Sequence, residues 1–154
     1  METTLVLLKP SCVQRQLIGE IVNRFERRGL RISGIKMMQL DDQILREHYA
    51  HLADRPFFPT LADSMKASPI VALALTGVDA VQVVRTMTGS TNGREAAPGT
   101  IRGDYSVSNQ QNIVHASDST ANAAIELARF FRPEEIFDYT SAVQGFIYGI
   151  DECK

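Results

Sequence analysis

The chain has little cysteine, no long apolar run and no surplus of basic charge, and each shortage removes a class of function. Two cysteines, Cys12 and Cys153, cannot build a disulfide framework or a cysteine-rich metal cluster. They suit a protein that keeps its thiols reduced, as in the cytoplasm. The opening segment carries only the short run Leu5-Val-Leu-Leu8, with no basic stretch ahead of it, so it does not read as a signal peptide. No stretch approaches the ~18 apolar residues that suggest a membrane span. The formal net charge of −2 lacks the basic balance that many nucleic-acid binders carry, although a local basic pocket for one polyphosphate remains open. Neither Gly-x-x-x-x-Gly-Lys-Ser/Thr nor Gly-x-Gly-x-x-Gly occurs, so the two common glycine-rich phosphate cradles are absent. His48 and His51 stand three apart, but no cysteine or carboxylate completes a metal site around them, and both read as surface residues.

What is present is globular. Hydrophobic residues make up 44 % of the 154 and charged residues 22 %, enough apolar material for a core and too little charge for disorder. One domain spanning residues 1–154 is expected. Thr4–Leu8 reads as a buried strand stopped by Pro10. Leu17, Ile18, Ile21, Val22 and Phe25 recur at helical spacing over about four turns, closed by Arg27, Arg28 and Gly29. Residues 30–40 read as a second strand. Asp41 or Asp42 can cap a helix reaching about Leu52. Arg55-Pro-Phe-Phe-Pro59 reads as a rigid turn, followed by a short helix to Lys66. Residues 69–75 form an apolar strand, and Asp79 is expected to cap the next helix through Val81, Val84 and Met87. Residues 89–103 hold Gly89, Gly93, Gly99 and Gly103 with Pro98, Arg94 and Arg102, and form a long irregular segment, which is commonly functional. Ile113-Val114 can form a strand ending at His115, and Asp118 or Ser119 starts a helix running to Phe131, stopped by Pro133. The pattern implies an α+β sandwich, with a doubly wound parallel sheet as the competing arrangement.

Several residues can carry chemistry, though each alone is more commonly structural. His115 stands at a strand-to-helix junction, where side chains are exposed and helix amides favour phosphate. A neutral imidazole is nucleophilic near pH 7 and can accept a phosphoryl group. Arg102, inside Pro98-Gly-Thr-Ile-Arg-Gly-Asp104, can clamp a phosphate bidentately. Lys9 ends the first strand, while Arg85 and Thr91 flank the start of the glycine-rich segment. Phe57 sits on a proline-stiffened turn, where an aromatic can stack on a base without reading its edges. Tyr49 is equally able to be core or site.

Joint order and spacing go further. The chain resembles the nucleoside diphosphate kinase family over nearly its whole length. The resemblance is carried by Lys9-Pro10, Val13-Gln-Arg15, Gly19-Glu20, Arg24-Phe-Glu26, Gly29, His48-Tyr49, Asp54-Arg-Pro-Phe-Phe-Pro59, Gly89, Thr91-Asn92, Pro98–Asp104, Asn112-Ile-Val-His115 and Ser117-Asp118. It implies a ferredoxin-like sandwich with a four-stranded antiparallel sheet and helices packed on it. It implies transfer of the γ-phosphoryl group of a nucleoside triphosphate to a nucleoside diphosphate, ping-pong through a phosphohistidine, with Mg²⁺ held mainly by the nucleotide phosphates and no metal ligands of the protein's own. At the matched positions it implies that His115 is the nucleophile. It implies that Lys9 and Asn112 hold the ribose hydroxyl and phosphate region, that Arg85, Thr91 and Arg102 hold phosphates, and that Phe57 stacks on the base. Tyr49 is implied near the transferred phosphate, with Ser117 and Glu126 orienting the histidine region. A homohexamer, or else a homotetramer, is implied, with no obligatory nucleic acid and no membrane.

The chain departs from the family pattern at Ser11-Cys12, where Asp-Gly is usual, and at Ala116, where glycine is commonest. It departs again at Asn109, where an apolar residue often meets the base, and at Gly93, where proline is usual. Glycine at 93 is expected to loosen the loop. Two other classes of function fit less well. A nucleotide-binding scaffold without activity would not need the whole set of Lys9, Arg85, Arg102, Asn112, His115 and Glu126. A nucleic-acid-binding regulator is disfavoured by the acidic charge balance.

Overall fold

Strands β1 (Glu2–Leu8) and β3 (Ile70–Gly77) carry the unbroken apolar runs Leu5–Leu8 and Ile70–Leu75 because both of their faces are covered there. Side chains alternate across a strand. Val6 and Leu8 therefore join Val71, Leu73 and Leu75 on one face, while Leu5 and Leu7 join Ile70, Ala72 and Ala74 on the other. In the computed structural model, which describes residues 1–153, these two strands form the middle of a four-stranded sheet. The edges are β2 (Arg31–Met38) and β4 (Val114–Ala116), in the order β2-β3-β1-β4 with every neighbour antiparallel. The parallel alternative is excluded, and the expected ferredoxin-like α+β sandwich is the fold.

Helices α2 (Ile18–Arg27) and α5 (Ala80–Thr88) cover the first face through Ile21, Phe25, Ala80 and Val84. The second face is covered by α3 (Asp42–His48), α4 (Phe58–Lys66) and α7 (Thr120–Phe130), which place Leu45, Ala62, Met65 and Phe130 against it. Each fully buried Leu, Ile or Phe contributes about 1.5–3 kcal/mol relative to exposure.

Several local expectations change. The stretch after β1 is not a stop followed by one four-turn helix. Pro10 starts a short helix, α1 (Pro10–Gln14), and Gln16 at φ 58° breaks the chain before α2, which has ten residues. Proline at the first helical position suits this, since its missing N–H would have no partner there anyway. The helix from Asp42 ends at His48 and gives way to a 3₁₀ turn at Ala50–Leu52. Phe58 and Pro59 belong to α4 rather than to a turn before it. Asp79 does not cap α5: it takes a left-handed backbone at φ 49° and its side chain accepts no bond from the helix. Glu2 supplies the acceptor instead, taking the Val81 N–H at 2.9 Å from the start of β1. The two other expected caps form as read, Asp41 accepting from Ile44 N and Ser119 from Asn122 N.

Gly93 also behaves differently from expectation. Its N–H donates to Ser108 O at 3.2 Å, and a Cβ at this position would collide with the Ser106 carbonyl. The loop is pinned here rather than loosened, and a proline could not make this bond. Cys12 lies in the core, where burial pushes its thiol up to about 12 and leaves it unreactive. No helix among the described residues is long and apolar enough to cross a membrane.

Candidate active site

His115 stands directly opposite Leu7 in the β4–β1 ladder, so the two side chains share a face. Its neighbours Val114 and Ala116 point to the α2/α5 core, and His115 therefore projects toward α3 and α7. There its Nε2 lies 3.1 Å from Glu126 Oε2 on α7. The Ser117 hydroxyl donates to the same carboxylate oxygen at 2.6 Å. Burial alone would push the Glu126 carboxyl up, but the bonds from His115 and Ser117 outweigh it and hold the group at about 2. An ionised carboxylate only accepts, which fixes the tautomer of a neutral His115: Nε2 carries the proton and Nδ1 keeps its lone pair.

The histidine lines a cavity of about 940 Å³ with Lys9, Tyr49, Arg85, Thr91, Arg102, Asn112 and Glu126. Eight of the ten residues singled out in the sequence thus share one concavity. Ser117 reaches it through Glu126. Phe57 does not line it: its ring is 53 % exposed at the start of α4. The turn after Val107 is tied to that helix by Gln110 Nε2 donating to Thr60 O at 3.5 Å.

Cations gather at one end of the cavity. Lys9 Nζ donates to Asn112 Oδ1 at 2.7 Å, and the Asn112 amide donates to Thr91 O and Asn109 O, each at 3.0 Å. Burial, reinforced by the Arg102 charge, lowers the Lys9 ammonium to about 8. Arg102 lies on α6 (Ile101–Tyr105), a short helix inside the segment read as irregular, capped by Thr100. Its guanidinium donates to three carbonyls, Asn112 O, Gly89 O and Val114 O, at 3.2, 2.8 and 2.6 Å. That uses three of five N–H groups and leaves two for a ligand. Arg24 holds α6 from outside through Asp104 at 2.7 Å. Among the described residues neither Lys9, Arg85 nor Arg102 pairs with a carboxylate. Uncompensated cations converging on one cavity make a site for a polyanion.

The backbone before His115 is strained. Ile113 has φ 74°, rare for a β-branched residue, and Val114 N donates to Asn112 O at 2.8 Å. This is a γ-turn of the uncommon hand, costing of order 1–3 kcal/mol. It aims Asn112 O at Arg102 while the Asn112 side chain reaches Lys9. The Ser11 hydroxyl, one of the departures from the family pattern, accepts the Ile113 N–H at 3.3 Å and steadies the turn.

Two residues were missed in the sequence. His48 is not a surface residue: it is buried, 8 % exposed, with its ring centroid 4.6 Å from that of His115. Its phase gave a clue, since Leu45 three residues earlier is core and i, i+3 residues share a helix face. Arg129 of α7 contacts it, with Nη1 3.1 Å from His48 Nδ1. His48, His115 and Glu126 offer ligand atoms within 4.8 Å of one another. Arg129 and Lys9 place positive charge on this group, which opposes a metal ion there. The carboxylates Glu47 and Asp118 line the same cavity without joining any such cluster among the described residues. The cavity has room and carboxylates for a divalent cation carried on a bound polyphosphate.

Comparison with known proteins agrees with the geometry. The family model described as nucleoside diphosphate kinase matches residues 2–136. The chain is 60 % identical over 152 residues to the nucleoside diphosphate kinase of Parabacteroides distasonis, covering 99 % of both chains. It is 46 % identical over 147 residues to human nucleoside diphosphate kinase A, covering 96 % of this chain and 97 % of the other. Among solved structures, a halophilic nucleoside diphosphate kinase from Halobacterium salinarum in complex with CDP superposes with a TM-score of 0.93 at 40 % identity, covering 96 % of this chain and 98 % of that one. Fold, cationic cavity and relatives define a nucleotide-binding phosphotransferase. The chain belongs to the nucleoside diphosphate kinase family.

Proposed function

We propose that residues 1–154 act as one catalytic domain that moves the γ-phosphoryl group of a nucleoside triphosphate onto a nucleoside diphosphate through a phosphohistidine at His115, maintaining NTP and dNTP pools. The observation that carries this reading is the bond of His115 Nε2 to Glu126, which leaves Nδ1 as the free nucleophile beside the cations. In the first half-reaction Nδ1 attacks the γ-phosphorus. The N–P bond forms, the bond to the β,γ-bridging oxygen breaks, and the diphosphate leaves with the electron pair. In the second, a terminal oxygen of another nucleoside diphosphate attacks phosphorus and the N–P bond breaks. Glu126 compensates the positive charge that develops on the ring, and Ser117 orients Glu126. Lys9, Arg85, Thr91, Arg102 and Asn112 hold the phosphates and ribose, so that charge is stabilised by groups already in place. Tyr49, with its phenol pushed up to about 12 by burial, stays a neutral hydrogen-bond donor near the transferred group. Phe57 offers an exposed ring for stacking on any base. Mg²⁺, bound through the nucleotide phosphates, would neutralise charge on the leaving diphosphate.

The reading includes a cytoplasmic location and self-association, as a homohexamer in preference to a homotetramer. The part of β2 past Ser33, beyond the bonds that Phe137 and Tyr139 make to its first half, carries Ile35 and Met37 more than half exposed and supports association of copies. Mass measurement in solution decides the number. The test of function is incubation with γ-labelled Mg·ATP followed by GDP. The expected result is an acid-labile phosphoenzyme that is chased to labelled GTP and is absent from His115→Ala. A wild type that binds nucleotide yet acquires no label would overturn the proposal.

A further inference from the structure

We propose that His48 is a positioning residue for His115: its imidazole, locked by Arg129, packs edge-to-face on the nucleophile's ring and holds it in the orientation that keeps Nε2 on Glu126 and Nδ1 free. The inference rests on the reading of His115 as the phosphoryl acceptor.

Four observations carry it. First, the two rings lie 4.6 Å apart between centroids at 83°, the T-shaped geometry that aromatic pairs prefer. Second, His48 stands among two further rings at similar angles, Tyr49 at 4.7 Å and Phe130 at 5.1 Å, so it has little freedom to tilt. Third, an arginine has donors and no acceptor, so Arg129 Nη1 at 3.1 Å makes His48 Nδ1 an acceptor. A neutral His48 therefore carries its proton on Nε2. Fourth, Glu126 and Arg129 are three apart on α7 and share a face. One face of one helix grips both histidines, His115 through the carboxylate and His48 through the guanidinium.

The charge state suits this role. Burial, then the His115, Arg129 and Lys9 charges, lower His48 to about 3 against the opposing pull of Glu126. A neutral His48 keeps the Arg129 bond and adds no charge beside the reacting ring. Its Nε2 is buried without a hydrogen-bond partner. A packed aromatic edge tolerates that, whereas a proton donor or acceptor in the reaction would need a route to substrate.

The experiment compares wild type, His48→Ala, His48→Phe and His48→Gln. Each is mixed with Mg·ATP in a single turnover to read the rate of phosphoenzyme formation. Nucleotide affinity is measured separately, and ¹⁵N spectra report the His115 tautomer. Phenylalanine keeps the ring edge and loses the Arg129 acceptor, while glutamine keeps an acceptor and loses the ring. Positioning predicts that His48→Ala slows phosphorylation roughly 10- to 100-fold, the scale of a misplaced reacting group, at unchanged nucleotide Kd. It predicts that Phe restores most of the rate and Gln does not. The single Nε2–H signal of His115 should become a mixture in the alanine and glutamine variants and stay single in the phenylalanine variant. If the alanine variant does not fold, the Phe and Gln variants still decide. Phosphorylation of His48→Ala at the wild-type rate, or rescue by Gln and not by Phe, would overturn the proposal. A wild type that takes no phosphate would instead sink the reading of His115.

Discussion

Lys9 Nζ and Asn112 Oδ1 meet at 2.7 Å across 103 residues of sequence. The bond fixes which way the Asn112 amide points, because its nitrogen is committed to Thr91 O and Asn109 O. Replacing Asn112 by Asp would keep the acceptor for Lys9 and lose both donors. A carboxylate would neutralise Lys9 and would face two carbonyls with no donor. Each broken buried bond costs about 1–3 kcal/mol. Asn112→Asp is therefore expected to weaken nucleoside diphosphate binding by one to two orders of magnitude and to lower the urea midpoint. Calorimetric titration and chemical denaturation check the two effects.

Lys9 gives the site an alkaline limit. Its ammonium is lowered to about 8, first by burial and then by Arg102, so the charge is lost as pH rises through that value. Nucleotide affinity should fall above pH 8, and Lys9→Arg should flatten the fall. Stability should move the other way. The unfolded lysine, near 10.5, binds its proton more tightly than the folded one, so the penalty of burying the charge fades between pH 8 and 10.5. Opposite slopes for nucleotide affinity and urea midpoint over that window, affinity falling while the midpoint rises, are the expected result. Parallel slopes would show that another group controls both.

Glu126 sets an acid limit with the reverse sign. Burial raises its carboxyl, but the bonds from His115 and Ser117 bring it down to about 2, below the ordinary 4.5. The stabilisation is present in full above 4.5 and is lost as pH falls toward 2. Glu126→Gln should cost about 1–3 kcal/mol at pH 7, a gap that closes between pH 4.5 and 2. Urea midpoints of both proteins across that range measure it.

Gly93 tests the loop. Gly93→Pro, the residue usual at this place in the family, removes the donor to Ser108 O and sets a Cβ against the Ser106 carbonyl. The expected outcome is a loss of about 1–3 kcal/mol, the scale of a broken hydrogen bond with its partner left unpaired, and a lower Tm in thermal melts. An unchanged or raised Tm would show that the loop reshapes freely.

The start of α5 separates two acidic residues. Glu2→Ala removes the acceptor for Val81 N and should cost about 0.5–2 kcal/mol, as other helix caps do. Asp79→Gly should be neutral or stabilising, because Asp79 caps nothing and holds a positive φ that glycine adopts freely. Urea denaturation of the two single variants distinguishes them.

Much of this was legible in the chain. The apolar runs of β1 and β3, the caps at Asp41 and Ser119, and the junction at His115 follow from local rules. The order of Lys9, Arg85, Arg102 and Asn112 pointed to one site because the family spacing supplied the contacts that local rules cannot. What stayed hidden is long-range. Glu2 displaces Asp79 as a cap only because β1 lies beside the start of α5. Gly93 is pinned only because the backbone around Ser106 and Ser108 returns to it. His48 looked like one of a surface pair until helix phase turned it inward, and Arg129 gave no signal without the fold. Phe57 carried the stacking role in the sequence, yet its ring stands outside the cavity lining.

The strand that bears His115 is three residues long, pairs with β1 alone and follows the strained turn at Ile113. Opening that edge breaks few backbone bonds and releases strain, while β1 and β3 remain locked in the middle of the sheet. Local opening of this kind has its own free energy, below that of global unfolding. Catalytic competence and foldedness are thus separate quantities in this chain. Warming or mild denaturant should displace His115 while the sheet is still intact, and amide exchange at Val114 and Ala116 would register the difference first.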